Sequence, residues 1–144
     1  MENSINLSIL IPLLPLSIAL FILILLVSFN RTINRLTKPV SFLFVFSLLS
    51  SGMISSYLYL KKIEGEVFLS NYLKLFENKN LILHLNSQTE KITIFFTLIM
   101  AIVIGALFYK LPRQKGYVSL LIGIGFISSS IIFAVLFINF SELI

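Results

Sequence analysis

Residues 7–29 read LSILIPLLPLSIALFILILLVSF, and this run decides the fold. It contains no Asp, Glu, Lys, Arg or His, and it exceeds the roughly 20 residues that an α-helix needs to cross about 30 Å of hydrocarbon. Three further uncharged runs follow at about 40–60, 92–109 and 117–140, of which the third is the shortest. Together they predict an all-α membrane protein with four transmembrane helices in one domain, residues 1–144.

The composition agrees with a lipid environment. Hydrophobic residues make up 58% of the chain and charged residues only 12%, whereas soluble domains carry about a quarter charged residues. The net charge of +5 does not indicate nucleic-acid binding, because the basic residues lie at the ends of the apolar runs. Cysteine is absent and His84 is the one histidine, which argues against thiolate or imidazole metal sites. We therefore expect no catalytic residue, cofactor or metal.

Charge is also missing where transport would need it. Proton and ion carriers require ionisable groups at membrane depth, and the four apolar runs contain none. Transport or catalysis by this chain alone is therefore not expected. Residues 1–6 contain Glu2 and no basic residue, and no small-residue cleavage site follows, so we expect the first run to be a retained helix and not a signal peptide.

The connecting segments predict the orientation. The two short loops carry basic residues and no acid: Arg31, Arg35 and Lys38 in the first, and Lys110, Arg113 and Lys115 in the last. The middle loop, about 61–91, is longer and contains both signs of charge. Short basic loops remain cytoplasmic, so we expect both termini and the middle loop on the other side.

The middle loop has a pattern of its own. Apolar residues alternate between 81 and 86, which is typical of a half-buried strand and places His84 there as a strand residue rather than a ligand. Residues 77–80, ENKN, have turn chemistry, and an apolar run at 67–76 precedes them. These features predict a short hairpin-like loop on the membrane surface; an irregular amphipathic loop is the alternative.

Small residues at four-residue spacing are the remaining candidates for function. They allow close approach of helix backbones and hydroxyl bonds across the contact, either with partner helices or among these four helices themselves. The candidates for helix packing are Ser47, Ser51, Gly52 and Ser55 in the second run, Ala101 and Gly105 in the third, and Gly125 and Ser129 in the fourth.

A family resemblance rests on two motifs. Residues 10–16, LIPLLPL, followed after one span by SFNR at 28–31, resemble the N-terminus of the antiporter-like subunit of respiratory complex I, called NuoL in bacteria and NdhF in cyanobacteria and chloroplasts. KGYV at 115–118, opening the fourth run, is similar to that family too. The resemblance covers about the first quarter of a family member, and this chain ends about where the family's helix with its functional glutamate would begin. It implies a chain that keeps the peripheral helices without the pumping machinery.

These observations favour a small accessory subunit in the membrane arm of an NAD(P)H:quinone oxidoreductase or a related antiporter complex. Its partners would be other integral membrane subunits and the lipid bilayer, in a prokaryotic inner or thylakoid-type membrane, and no nucleic acid. One alternative is a self-associating channel or holin-like protein, whose second and fourth helices would form the interface or pore lining. Another is a structural subunit of a different membrane complex, such as a photosynthetic one.

Overall fold

Four long helices dominate the architecture. The computed structural model describes residues 6–68, 82–110 and 116–137. In chain order the elements are a 3-10 turn at Leu7–Ile9, α1 (Leu10–Ser28), α2 (Asn30–Arg35), α3 (Thr37–Leu60), β1 (Gly65–Phe68), β2 (Ile82–Leu85), α4 (Ser87–Lys110) and α5 (Tyr117–Phe137). Together with the 3-10 turn, α1 is long and apolar enough to cross a membrane, as are α3, α4 and α5, so the predicted fold class of an integral membrane protein with four spans is confirmed.

Two helices begin earlier than the hydropathy pattern indicates. Helix α3 begins at Thr37 rather than about 40, and α4 begins at Ser87 rather than about 92. The polar start of α4 is stabilised locally, because the Asn86 backbone N–H donates to Thr89 Oγ1 at 2.9 Å, which is half of a capping box. Charged residues therefore lie inside the ends of these helices. The short helix α2, which the sequence did not predict, links α1 to α3.

The four spans pack side by side around an apolar core. Helix α3 contacts α4 along much of its length and also packs against α1, and α1 in turn packs against α5. Contacts between α4 and α5 are fewer. The centre of the bundle is fully buried and is formed by large side chains from four helices, including Ile22, Phe44, Leu48, Ile104 and Leu121.

A pair of short strands covers one end of the bundle. Strands β1 and β2 are antiparallel, with Gly65 opposite Leu85 and Phe68 opposite Ile82. The alternation predicted for β2 is present, since Leu83 and Leu85 are fully buried and Ile82 and His84 are half-buried. The two leucines lie in a cluster with residues from α1, α3 and α5, namely Ile11, Leu58, Ile132 and Leu136. The predicted turn at 77–80 lies outside the described residues, so the complete hairpin stays a prediction.

Candidate functional site

Helices α3 and α4 approach closely at a glycine. A Cβ built on Gly52 would lie 2.7 Å from Thr97 Oγ1, so any side chain at this position would clash. Nearer to the strands, Ser55 Oγ donates to the backbone carbonyl of Glu90 at 3.2 Å, which is a hydrogen bond between the two helices. Gly52, Ser55 and Thr97 are all buried. The small residues predicted in the second span therefore allow this close contact.

A second glycine holds α5 against α1 and α3. A Cβ on Gly125 would lie 2.6 Å from Phe44 Cε1 and 3.0 Å from the Ala19 Cβ. Phe44 and Ala19 are both completely buried. The aromatic ring of Phe44 thus occupies the space that a side chain at Gly125 would need.

Most hydroxyl groups inside the bundle are bonded within their own helix. Each donates to a backbone carbonyl three or four residues earlier in the chain, which satisfies the hydroxyl without a partner on another helix. These bonds range from 2.7 to 3.0 Å and are made by Ser47, Ser51, Thr93, Thr97, Ser128 and Ser129. The hydroxyls therefore fill space at the helix contacts and form no continuous polar path among the described residues.

One pair of hydroxyls does cross between helices. Ser41 Oγ on α3 lies 2.7 Å from Tyr117 Oη at the start of α5. Ser41 also donates its single proton to the Thr37 carbonyl at 2.8 Å, so Tyr117 is the donor in the bond between the helices. Both side chains are buried.

Seven of the predicted packing residues are buried within the bundle. These are Ser47, Ser51, Gly52, Ser55, Ala101, Gly125 and Ser129. Gly105 differs from them: it is exposed, and no heavy atom lies within 4 Å of the position its Cβ would occupy.

A carboxyl group that the sequence analysis placed in a loop is buried at the start of α4. Glu90 is only 2% exposed, and its Oε1 has no hydrogen-bond partner among the described residues. It borders a cavity of about 520 Å³ between the end of α3 and the start of α4. The other residues lining this Glu90 cavity are Tyr59, Leu60, Lys62, Glu64, Ser87 and Lys91.

The two lysines that line the Glu90 cavity lie in different environments. The Lys91 ammonium lies 5.5 Å from the centroid of the Tyr59 ring, in cation–π geometry. Lys62 is exposed and adopts a positive φ of 53°. A buried carboxyl with an unpaired oxygen costs free energy, so this position is a candidate for contact with something outside the chain.

The sequence does contain a signal for Glu90, which hydropathy alone does not detect. Residues 87–90 read SQTE, the S-x-x-E pattern of a capping box, directly before an apolar run. The pattern indicates that a helix begins here, with Glu90 in its first turn, although the cap in the structure is formed one residue earlier, by Asn86 and Thr89. The burial of Glu90 depends on α3, which no local pattern reveals.

His84 takes part in a surface contact. Its Nδ1 lies 3.4 Å from Glu66 Oε1, across the strand pair, and the Glu66 side chain is half exposed. Within the described ranges, no group of three or more His, Cys, Asp or Glu residues is placed to hold a metal ion.

No family model matches the sequence, and no curated protein matches it.

Proposed function

We propose that the chain is a small, non-catalytic subunit that packs in the membrane arm of an NAD(P)H:quinone oxidoreductase or a related antiporter complex. The observation that carries the subunit role is the unpaired Oε1 of Glu90 beside an open cavity. A hydrogen-bond donor or a cation on a partner subunit would satisfy this oxygen. In an isolated chain its burial is only a cost.

The distribution of charge in the spans favours a structural role over ion transport. In the described part of the chain, the charged residues of the four spans lie within the first two turns or the last turn of a helix: Lys38, Glu90, Lys91 and Lys110. The buried hydroxyls between those ends bond mainly to carbonyls of their own helices. A proton path across the bilayer would instead need titratable groups at depth.

The identity of the complex is supported by the sequence motifs alone. The Pro12 and Pro15 start and the SFNR segment at 28–31 resemble the NuoL and NdhF subunits. The basic short loops favour an orientation with both termini on the non-cytoplasmic side of a prokaryotic inner or thylakoid-type membrane.

Affinity purification tests the proposal. The tagged chain, extracted from its native membrane in mild detergent, is expected to co-purify with membrane subunits of a quinone oxidoreductase or antiporter. Recovery of the chain without other membrane subunits would overturn the subunit role, and recovery with an unrelated complex would overturn the choice of complex. If the chain is recovered as a homo-oligomer that conducts ions in liposomes, the self-associating channel replaces the proposal.

A matched pair of variants tests the part assigned to Glu90. Removing one partner of a buried hydrogen bond leaves the other group unsatisfied at a cost of about 1–3 kcal/mol, so Glu90→Ala is expected to lose the co-purifying subunits. Glu64→Ala makes the same truncation at an exposed carboxylate of the same cavity and is expected to retain them. Equal amounts of each variant in the membrane are required for this comparison. Retention of all partners by Glu90→Ala would show that Glu90 is not the contact.

A further inference from the structure

The opposite end of the α3–α4 pair contains an apolar groove. It has a volume of about 620 Å³, within the roughly 300–1,000 Å³ of typical ligand sites. Its wall on α3 includes Phe42 and Val45, and its wall on α4 includes Gly105 and Phe108. The groove is open at Gly105 because no atom lies within 4 Å of the missing Cβ.

Positive charge marks the mouth of this groove. Lys38 is part of its lining, near the first turn of α3. A separate cavity of about 410 Å³, on the helix that leads into α3, is lined by Arg31 and Arg35 together with Thr32 and Leu36. No Asp or Glu occurs in 29–41, 104–110 or 116–118, the described segments at this end. The local field therefore favours an anion.

The length of the groove favours a lipid over a partner helix. On α3 it extends from Lys38 to Val45, which is about 10 Å at 1.5 Å per residue. A partner span would be expected to contact the bundle over much of the roughly 30 Å of hydrocarbon. A headgroup and the first part of an acyl chain need only such a short groove. Basic pockets between transmembrane helices bind anionic headgroups of this kind.

We propose that this groove binds an anionic phospholipid. The acyl chain lies against Phe42, Gly105 and Phe108, and the phosphate lies at Lys38, with Arg31 and Arg35 adding to the attraction. The site is distinct from the Glu90 cavity at the other end of the α3–α4 pair, and it does not depend on the proposed subunit role.

Lipid titration of the purified full-length chain tests this site. After delipidation in detergent, phosphatidylglycerol and phosphatidylcholine are titrated separately, and bound lipid is counted by native mass spectrometry. We expect saturable binding of phosphatidylglycerol at one site and much weaker binding of phosphatidylcholine. Equal binding of the two lipids would overturn the proposal, because it would show a lipid-facing surface without headgroup recognition.

Three variants localise the binding. Lys38→Gln is expected to weaken phosphatidylglycerol binding roughly fivefold, as for the loss of one basic contact with an anionic lipid, whereas Lys62→Gln at the other end is expected to have no effect. Gly105→Leu fills the groove and is expected to abolish saturable binding. Binding by Gly105→Leu at the wild-type level, with its thermal unfolding unchanged, would overturn the assignment of the groove.

Discussion

Gly52 of α3 and Thr97 of α4 fit together so tightly that a Cβ on the glycine would lie 2.7 Å from the threonine Oγ1. This contact sets the distance between the two most extensively packed helices of the bundle. Gly52 is one of the packing residues predicted from the sequence because of its small size, whereas Thr97 is not among them.

Gly52→Ala is expected to destabilise the bundle. Overpacking costs about 1–3 kcal/mol, and the gain in helix propensity returns about 1 kcal/mol, so we expect a net loss of up to about 2 kcal/mol. Reversible unfolding in mixed detergent micelles measures the change. Gly105→Ala, whose Cβ meets no atom within 4 Å, serves as the control and is expected to be neutral or stabilising.

The same contact predicts a rescue. Thr97→Ala removes Oγ1 and leaves the Cβ, which lies at an ordinary 3.6 Å from a Cβ on Gly52. The double variant Gly52→Ala with Thr97→Ala is therefore expected to be more stable than the sum of the single changes predicts. Strict additivity would show that the clash is relieved by a shift of the backbone instead.

Gly125→Ala is expected to lower stability by up to about 2 kcal/mol, because its Cβ would meet the buried Phe44 ring at 2.6 Å and the gain in helix propensity offsets only part of this cost. The matched control lies two residues away on the same helix. Gly123→Ala finds nothing within 4 Å and is expected to be tolerated. Unfolding of both variants under the same detergent conditions gives the comparison, and equal effects would contradict the assigned packing.

Tyr117→Phe is expected to cost about 0.6 kcal/mol, the average for hydrogen bonds between helices in a membrane. Ser41 keeps its bond to the Thr37 carbonyl in this variant, so no buried hydroxyl proton is left unpaired. Tyr109→Phe is the control, since Tyr109 is 87% exposed. A loss above about 2 kcal/mol for Tyr117→Phe alone would indicate that the ring moves as well as losing its hydroxyl.

Leu83→Ala is expected to loosen the strand pair from the end of the bundle, at a cost of about 2–5 kcal/mol for a buried leucine. His84→Ala removes only a contact with the half-exposed Glu66 and is expected to cost at most about 1 kcal/mol. Hydrogen exchange distinguishes the two variants. Leu83→Ala is expected to speed exchange at β2 and at the first turn of α1, because Leu83 and Ile11 belong to one cluster.

Hydropathy predicts the spans well because a lipid solvent permits few other structures. It fails at the start of α4, where residues 87–91 are polar and yet helical. A hydropathy pattern reads these residues as loop, since their helical state comes from a local cap and from burial against α3. The strand at 82–85 is predictable from its alternation of buried and half-buried residues. Its pairing with 65–68 is not, because that pairing joins residues distant in sequence.

The candidate site is less accessible to sequence reasoning than the spans. Small residues at four-residue spacing indicate close helix contacts, but the spacing alone does not show which helix these residues face. Gly105 and Gly52 are both glycines in similar apolar runs. Gly105 nevertheless faces an open groove, whereas Gly52 faces Thr97. The burial of Glu90 likewise depends on the packing of α3 beside α4.

Because most hydroxyls inside the bundle bond to carbonyls of their own helices, the serines that carry them should tolerate some substitutions and not others. Each contact at Ser47, Ser51, Ser128 or Ser129 demands a small volume, and the polarity of the side chain is already neutralised by a carbonyl of the same helix. Exchange of these serines for alanine should therefore be nearly silent, whereas one added methylene should not. At these four positions the packing depends on side-chain volume and not on polarity, unlike at Ser55 and Tyr117, whose hydroxyls form bonds between helices.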